Sequence, residues 1–179
     1  SVESAHPIYL DYTSWKNPQT GIPRNLLVIG INPQNNVLKL PGLKENLDKI
    51  KLPNVVLYDR SSRKEYGPIA TQFEEGNYVT AEVRRKLVKV GGLFGADGNL
   101  ISSDVNFLRI FENRQPGLVD IGLIKLKPGA DPNLVAQQLR SYLNKDVRVL
   151  TKQEFIDFER NFWSSSTAIG FIFSLGTIM

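Results

Sequence analysis

Cysteine is absent from the 179 residues, which excludes a disulfide framework and thiolate metal sites while leaving the redox compartment open. Histidine occurs once, as His6, so this chain alone cannot assemble a His-based zinc site or a Ser-His-Asp relay. Ahead of Pro7 in an extended segment, His6 reads as a structural histidine. No block of one charge sign stands out: 22 Lys and Arg against 18 Asp and Glu leave a net +4, scattered along the chain and weak ground for a polyanion or nucleic-acid partner. The opening Ser1-Val2-Glu3 has neither the basic nor the apolar region of a signal peptide, so the sequence is expected to start inside a longer protein. Long apolar runs are missing everywhere except at the end.

What is present suits a water-facing fold. Hydrophobic residues at 41% and charged ones at 22% fit one globular domain, or two small lobes, with a sizeable core. The exception is Ser164 to Met179, which follows Arg160 without a further charge. A bilayer-crossing helix needs about 20 apolar residues, so this run is expected to be the start of a transmembrane helix. Phe155, Phe158, Phe162 and Trp163 precede it at helical spacing and are the candidate membrane-interface residues. Ser166, Gly170 and Ser174 recur every four residues, a small-residue face for transmembrane packing. An apolar C-terminal helix or strand packed inside a soluble domain is the alternative.

Upstream, the segment from Val2 to Lys16 reads as a strand with Ile8, Leu10 and Tyr12 on one face, and Leu26 to Ile31 as its hairpin partner across the turn-rich loop at 17–23. Leu43 to Leu52 has helix-face spacing between Pro41-Gly42 and Pro53. Val55 to Tyr58, Tyr78 to Glu82, Leu87 to Val90 and Leu100-Ile101 are β-like, Gly91-Gly92 breaks the pattern, and Asp104 is placed to cap a helix with Phe107, Leu108 and Phe111. A strand, helix, strand unit then follows: Val119 to Lys127, a helix after Asp131-Pro132 with Val135, Leu139 and Leu143 on one face, and Val147 to Leu150. Thr151 and Glu154 form a capping box for the final helix, which joins it to the preceding strand without slack.

Chemistry-bearing patterns are few. Glycines at 91, 92, 95 and 98 lack the Gly-Lys-Ser/Thr of a phosphate cradle and read as turn glycines; Asp97-Gly98-Asn99 lacks the distal Glu of a calcium loop. The basic groups Arg60, Arg63, Lys64 and Arg84, Arg85, Lys86, Lys89 read as solvated faces. Glu74-Glu75 has no second carboxylate site to work with and reads as a loop before Gly76. Trp15 and Phe94 are candidate partner contacts, with Trp15 equally able to fold back onto the core. No catalytic, cofactor or metal residue is identified.

Several phrases occur together and in order: Ser14-Trp15-Lys16-Asn17-Pro18, Val28-Ile29-Gly30-Ile31-Asn32-Pro33, Lys89-Val90-Gly91-Gly92-Leu93-Phe94, Ala96-Asp97-Gly98-Asn99-Leu100, Asn106-Phe107-Leu108-Arg109-Ile110-Phe111, Leu126-Lys127-Pro128-Gly129-Ala130-Asp131 and Ala168-Ile169-Gly170-Phe171-Ile172-Phe173. In these the sequence resembles the permease subunits of heterocyst-type (DevC-like) ABC exporters of cyanobacteria, within the MacB-like family. The resemblance implies an α+β periplasmic core over residues 1–163: a ferredoxin-like α/β lobe near the membrane (1–33 and 117–163), a mostly β lobe inserted into it (34–116), then the second transmembrane helix from 164. It implies a place in the bacterial inner membrane, facing the periplasm, with no catalytic residue or cofactor in this domain. Implied partners are a cytoplasmic ABC ATPase subunit, a periplasmic adaptor (membrane fusion protein), a TolC-like outer-membrane channel and a second permease copy in a homodimer; the cargo class would be glycolipid. It also implies a longer connection between Phe94 and Gly95 and a strand and helix before Ser1. From a different class, the alternative is a soluble periplasmic module whose basic loops hold an anionic ligand or lipid.

Overall fold

A computed structural model describes residues 1–96 and 98–163, with side chains through 161. Seven strands, β1 (Val2–Lys16), β2 (Pro23–Ile31), β3 (Val55–Asp59), β4 (Thr80–Val83), β5 (Lys86–Phe94), β6 (Asn99–Ser103) and β7 (Ile121–Leu126), combine with helices α1 (Ile69–Glu74), α2 (Asp104–Ile110), α3 (Pro132–Tyr142) and α4 (Lys152–Trp163). Contacts divide the chain into His6–Gly122 and a second unit of Ser1–Ala5 with the residues from Leu123 on. This division differs from the expected boundaries at 33/34 and 116/117. The reason is β2, which pairs in parallel with β6 from Leu27↔Asn99 to Ile31↔Ser103 and so ties the first hairpin into the sheet of the middle segment.

Within the larger unit the strands follow the order β2-β6-β3-β5-β4-β1, and β1 pairs back onto β2. The sheet thus closes into a ring. Closure is weakest between β1 and β4, where only Trp15↔Val83 and Lys16↔Glu82 pair. Against β2 and β6, α2 supplies Phe107, stacked on Tyr9 at 5.6 Å and tilted against Phe111 at 4.5 Å. Gly30 admits this packing, since a Cβ there would lie 2.7 Å from Phe107 Cβ. Ser103 rather than Asp104 caps α2, its hydroxyl accepting from the Asn106 N–H.

The hydrophobic pattern is read differently by the fold at four places. In β1 the core face carries Tyr9, Thr13 and Trp15, while Tyr12 is exposed, because alternate side chains fall on opposite faces. The expected helix at 43–52 is instead two 3-10 turns, Lys44–Asn46 and Lys49–Lys51, which still bury Leu43, Leu47 and Ile50. Asn46 fixes the break by donating to the carbonyls of Gly42 and Leu93. Gly91-Gly92 does not end β5. The pairing with β3 shifts from Val56↔Val90 to Leu57↔Gly92, making Gly91 the extra residue of a bulge, and side chains at 91 and 92 would collide with Val55 and Asn46. Glu74 ends α1 rather than lying in a loop.

In the smaller unit α3 starts as expected, Asp131 accepting from the Asn133 N–H with Pro132 at the first position. Val135 and Ala136 are buried, whereas Leu143 is exposed. Residues 147–150 form no strand. Arg140 Nε donates to the Val149 carbonyl at 3.0 Å, so a side chain occupies a group that a neighbouring strand would need. Among the described residues no helix is long and apolar enough to cross a membrane; the expected transmembrane start at 164–179, with Ser166, Gly170 and Ser174, lies outside them.

Candidate functional site

Trp15 and Phe94, expected as partner contacts, are both fully buried. The Trp15 indole donates to the Tyr66 carbonyl at 2.8 Å and packs on Tyr58 at 5.4 Å, so it closes the core; neither residue presents surface to a partner. The Asp59 carboxylate is also fully buried, accepting from the N–H groups of Ser61, Ala96 and Gly98. It binds two loops together. Among the described residues no three His, Asp or Glu side chains converge on a metal position. Asp97 lies outside those residues.

Two places are built more deliberately than the rest. The first, in the larger unit, is a groove of about 400 Å³ walled by Lys49, Leu52, Phe73, Tyr78, Lys89 and Gly91. Its lip depends on Asn106, a buried side chain whose amide donates to the carbonyls of Ile50, Leu52 and Val55 and accepts from the Asn54 N–H. Asn54 itself sits at φ 59°, a conformation asparagine tolerates better than most residues. The turn bearing Lys49 and Leu52 is thereby held to β3. On the opposite wall the Lys89 ammonium lies 4.5 Å from the centroid of the Tyr78 ring. Leu52 and Tyr78 are 59% and 73% exposed. Asn106 gives no sequence signal distinguishing it from a surface asparagine; only its place inside an otherwise apolar helix face hints at a buried role.

The second place is the start of α4 in the smaller unit. Thr151 N–H donates to Glu154 at 2.8 Å, and the Glu154 N–H donates to Thr151 Oγ1 at 3.2 Å, the expected capping box. Arg140 of α3 joins Glu154 in an ion pair, so both helices and the Val149 carbonyl meet at one guanidinium. The Thr151 backbone bond, then the Arg140 charge, hold the Glu154 carboxyl below its ordinary range. Farther along α4, Phe155 and Phe158 are half-buried, and Arg148 lies 4.3 Å from the Phe158 ring centroid. Glu159 is buried with neither carboxylate oxygen partnered among the described residues, and burial pushes it up to about 7. The side chains of Phe162 and Trp163 lie outside the described set.

No family model and no curated protein sequence matches the chain. Solved structures do. The periplasmic region of MacB from Actinobacillus actinomycetemcomitans superposes with a TM-score of 0.58 at 18% identity, covering 93% of this chain and 78% of the other. The chain has the fold of the MacB periplasmic region. A second match is the extracellular domain of the noncanonic ABC-type transporter YknZ from Gram-positive bacteria, with a TM-score of 0.51, 11% identity and coverage of 78% and 70%. Within this MacB-type fold, the groove and the α4 capping box are formed by residues of this chain itself.

Proposed function

We propose that this chain is the extracytoplasmic core domain of an ABC-exporter permease, facing the periplasm from the inner membrane. The fold shared with the MacB periplasmic region over 93% of the chain is the observation that carries the reading. In this account the permease is of the DevC-like kind, with a ferredoxin-like lobe near the membrane. It acts as a dimer with a cytoplasmic ABC ATPase, a periplasmic adaptor and a TolC-like channel, and glycolipid is the cargo class that the resemblance suggests. The domain carries no catalytic step of its own. It relays motion: α4 is fixed at its start by Thr151, Glu154 and Arg140, and the uncharged run from Ser164 enters the bilayer with Phe155, Phe158, Phe162 and Trp163 at the interface.

Partner retention tests this. Full-length tagged protein extracted from membranes in detergent is expected to bring down an ATP-binding subunit in stoichiometric amount and to hydrolyse ATP. Recovery as a soluble periplasmic protein that binds an anion or lipid, with no such subunit, would establish the ligand-binding alternative instead.

A further inference from the structure

The groove between the Lys49–Lys51 turn and the start of β4 has an unbalanced wall. Lys49 donates to Asn46 Oδ1 at 2.7 Å, and Lys89 lies against Tyr78. Neither lysine makes an ion pair with a carboxylate of the described residues, although Lys51 next door is paired with Asp48. No Asp or Glu lines the groove. Beyond Phe73, which walls both, a second hollow of about 390 Å³ carries the reverse pattern, with Glu45 and Glu74 beside Arg60. A surface that changes sign across one aromatic residue selects a partner with the complementary order of charges.

We propose that this groove docks a segment of a protein partner in which an apolar side chain, seated between Leu52, Phe73 and Tyr78, is flanked by a carboxylate that meets Lys49 and Lys89. The proposal rests on the extracytoplasmic reading above and names the surface by which such a domain engages a protein. A small anion or lipid phosphate fits less well. No arginine lines the groove, and two of its exposed side chains, Leu52 and Tyr78, are apolar or aromatic, which suits a peptide anchor rather than an isolated phosphate. Two asparagines hold the wall in shape before binding, Asn46 against the Gly42 and Leu93 carbonyls and Asn106 against Ile50 and Leu52, which lowers the ordering cost of association.

The test uses the full-length protein in its own membrane, with Leu52 replaced by p-benzoylphenylalanine and a matched control at Tyr142. Irradiation and mass spectrometry of the cross-linked peptide are expected to give, from position 52 only, one partner segment with Asp or Glu within three residues of an apolar attachment point. In the Lys49→Glu, Lys89→Glu background the yield should fall about tenfold, and exchanging the partner's acid for Lys should restore it. Unchanged thermal melting of the double variant confirms that it is folded. Cross-linking only to lipid, only to a second copy of this chain, to no protein at all, or at a yield insensitive to charge reversal would overturn the proposal. Labelling of Tyr142→Cys by a membrane-impermeant maleimide in the same cells reports separately on whether the extracytoplasmic reading holds.

Discussion

Asn106 is the residue on which the groove's lip depends most, because four backbone groups between Ile50 and Val55 bond to its amide. Asn106→Ala would strand those buried groups, at a cost of about 2–3 kcal/mol, measured as a lower urea midpoint with an unchanged slope. Trp15→Ala removes the fully buried side chain that spans Tyr58 and the Tyr66 carbonyl and should cost about 3–5 kcal/mol; a loss below 1 kcal/mol in the same titration would mean that the ring is not in the core. Trp15 could be named from sequence, but not its destination, since an aromatic near a turn is compatible with core or contact. Asn106 could not be named at all, because its value lies in carbonyls more than fifty residues away in the chain.

Glu159 sets a pH dependence. Its carboxyl is raised to about 7 in the folded chain by burial, so between the ordinary carboxylate range and 7 the native state holds a proton that the unfolded state has lost. Stability must therefore fall as pH rises through that window. Urea unfolding at pH 5.5 and pH 8 should show lower stability at the higher pH, and Glu159→Gln should flatten the difference. Glu154 works in the opposite sense: its lowered carboxyl stabilises above the ordinary range and loses that contribution as pH falls. A stability that rises from pH 5.5 to 8 in the wild type would contradict the burial of Glu159.

At the scale of elements, the hairpin turn between β4 and β5 is strained by two non-glycine residues at positive φ, Arg84 at 48° and Arg85 at 64°. Two-residue hairpins of this hand favour Asn-Gly. Arg85→Gly should accordingly raise stability by about 0.5–1 kcal/mol, read as a higher melting temperature. Hairpin β1–β2, the caps of α3 and α4 and most strand positions were legible in the sequence because turn residues and capping pairs act locally. The bulge at Gly91 and the broken helix at 44–51 were not. A glycine pair that accommodates Val55 and Asn46 reads in sequence the same as one that ends a strand, and Leu43, Leu47 and Ile50 have helical spacing whether one helix or two 3-10 turns bury them. The expected strand at 147–150 has the right composition, but Arg140 occupies the Val149 carbonyl.

The α4 start carries the mechanical part of the account. Thr151→Ala should cost about 1 kcal/mol, too little to unfold the domain. Three glycines inserted between Leu150 and Thr151 would instead add slack while leaving the capping box intact. In a reconstituted transporter of the proposed composition, adaptor-dependent stimulation of ATP hydrolysis is expected to fall about tenfold while basal hydrolysis persists; undiminished stimulation would remove α4 from the proposed relay.

For the whole molecule, the ring of strands gives the larger unit a closed core of its own. The α+β class followed from the family resemblance, whereas the closure of β1 onto both β2 and β4 was not legible, because it depends on pairings far apart in sequence. The proposed function turns on which side of a membrane this closed unit faces. Tyr142 is 91% exposed, so Tyr142→Cys, read against the labelling of the unsubstituted protein, reports on this domain. Labelling of intact cells with opened outer membranes by an impermeant maleimide should go to completion before the inner membrane is permeabilised. Labelling only after permeabilisation would contradict the account.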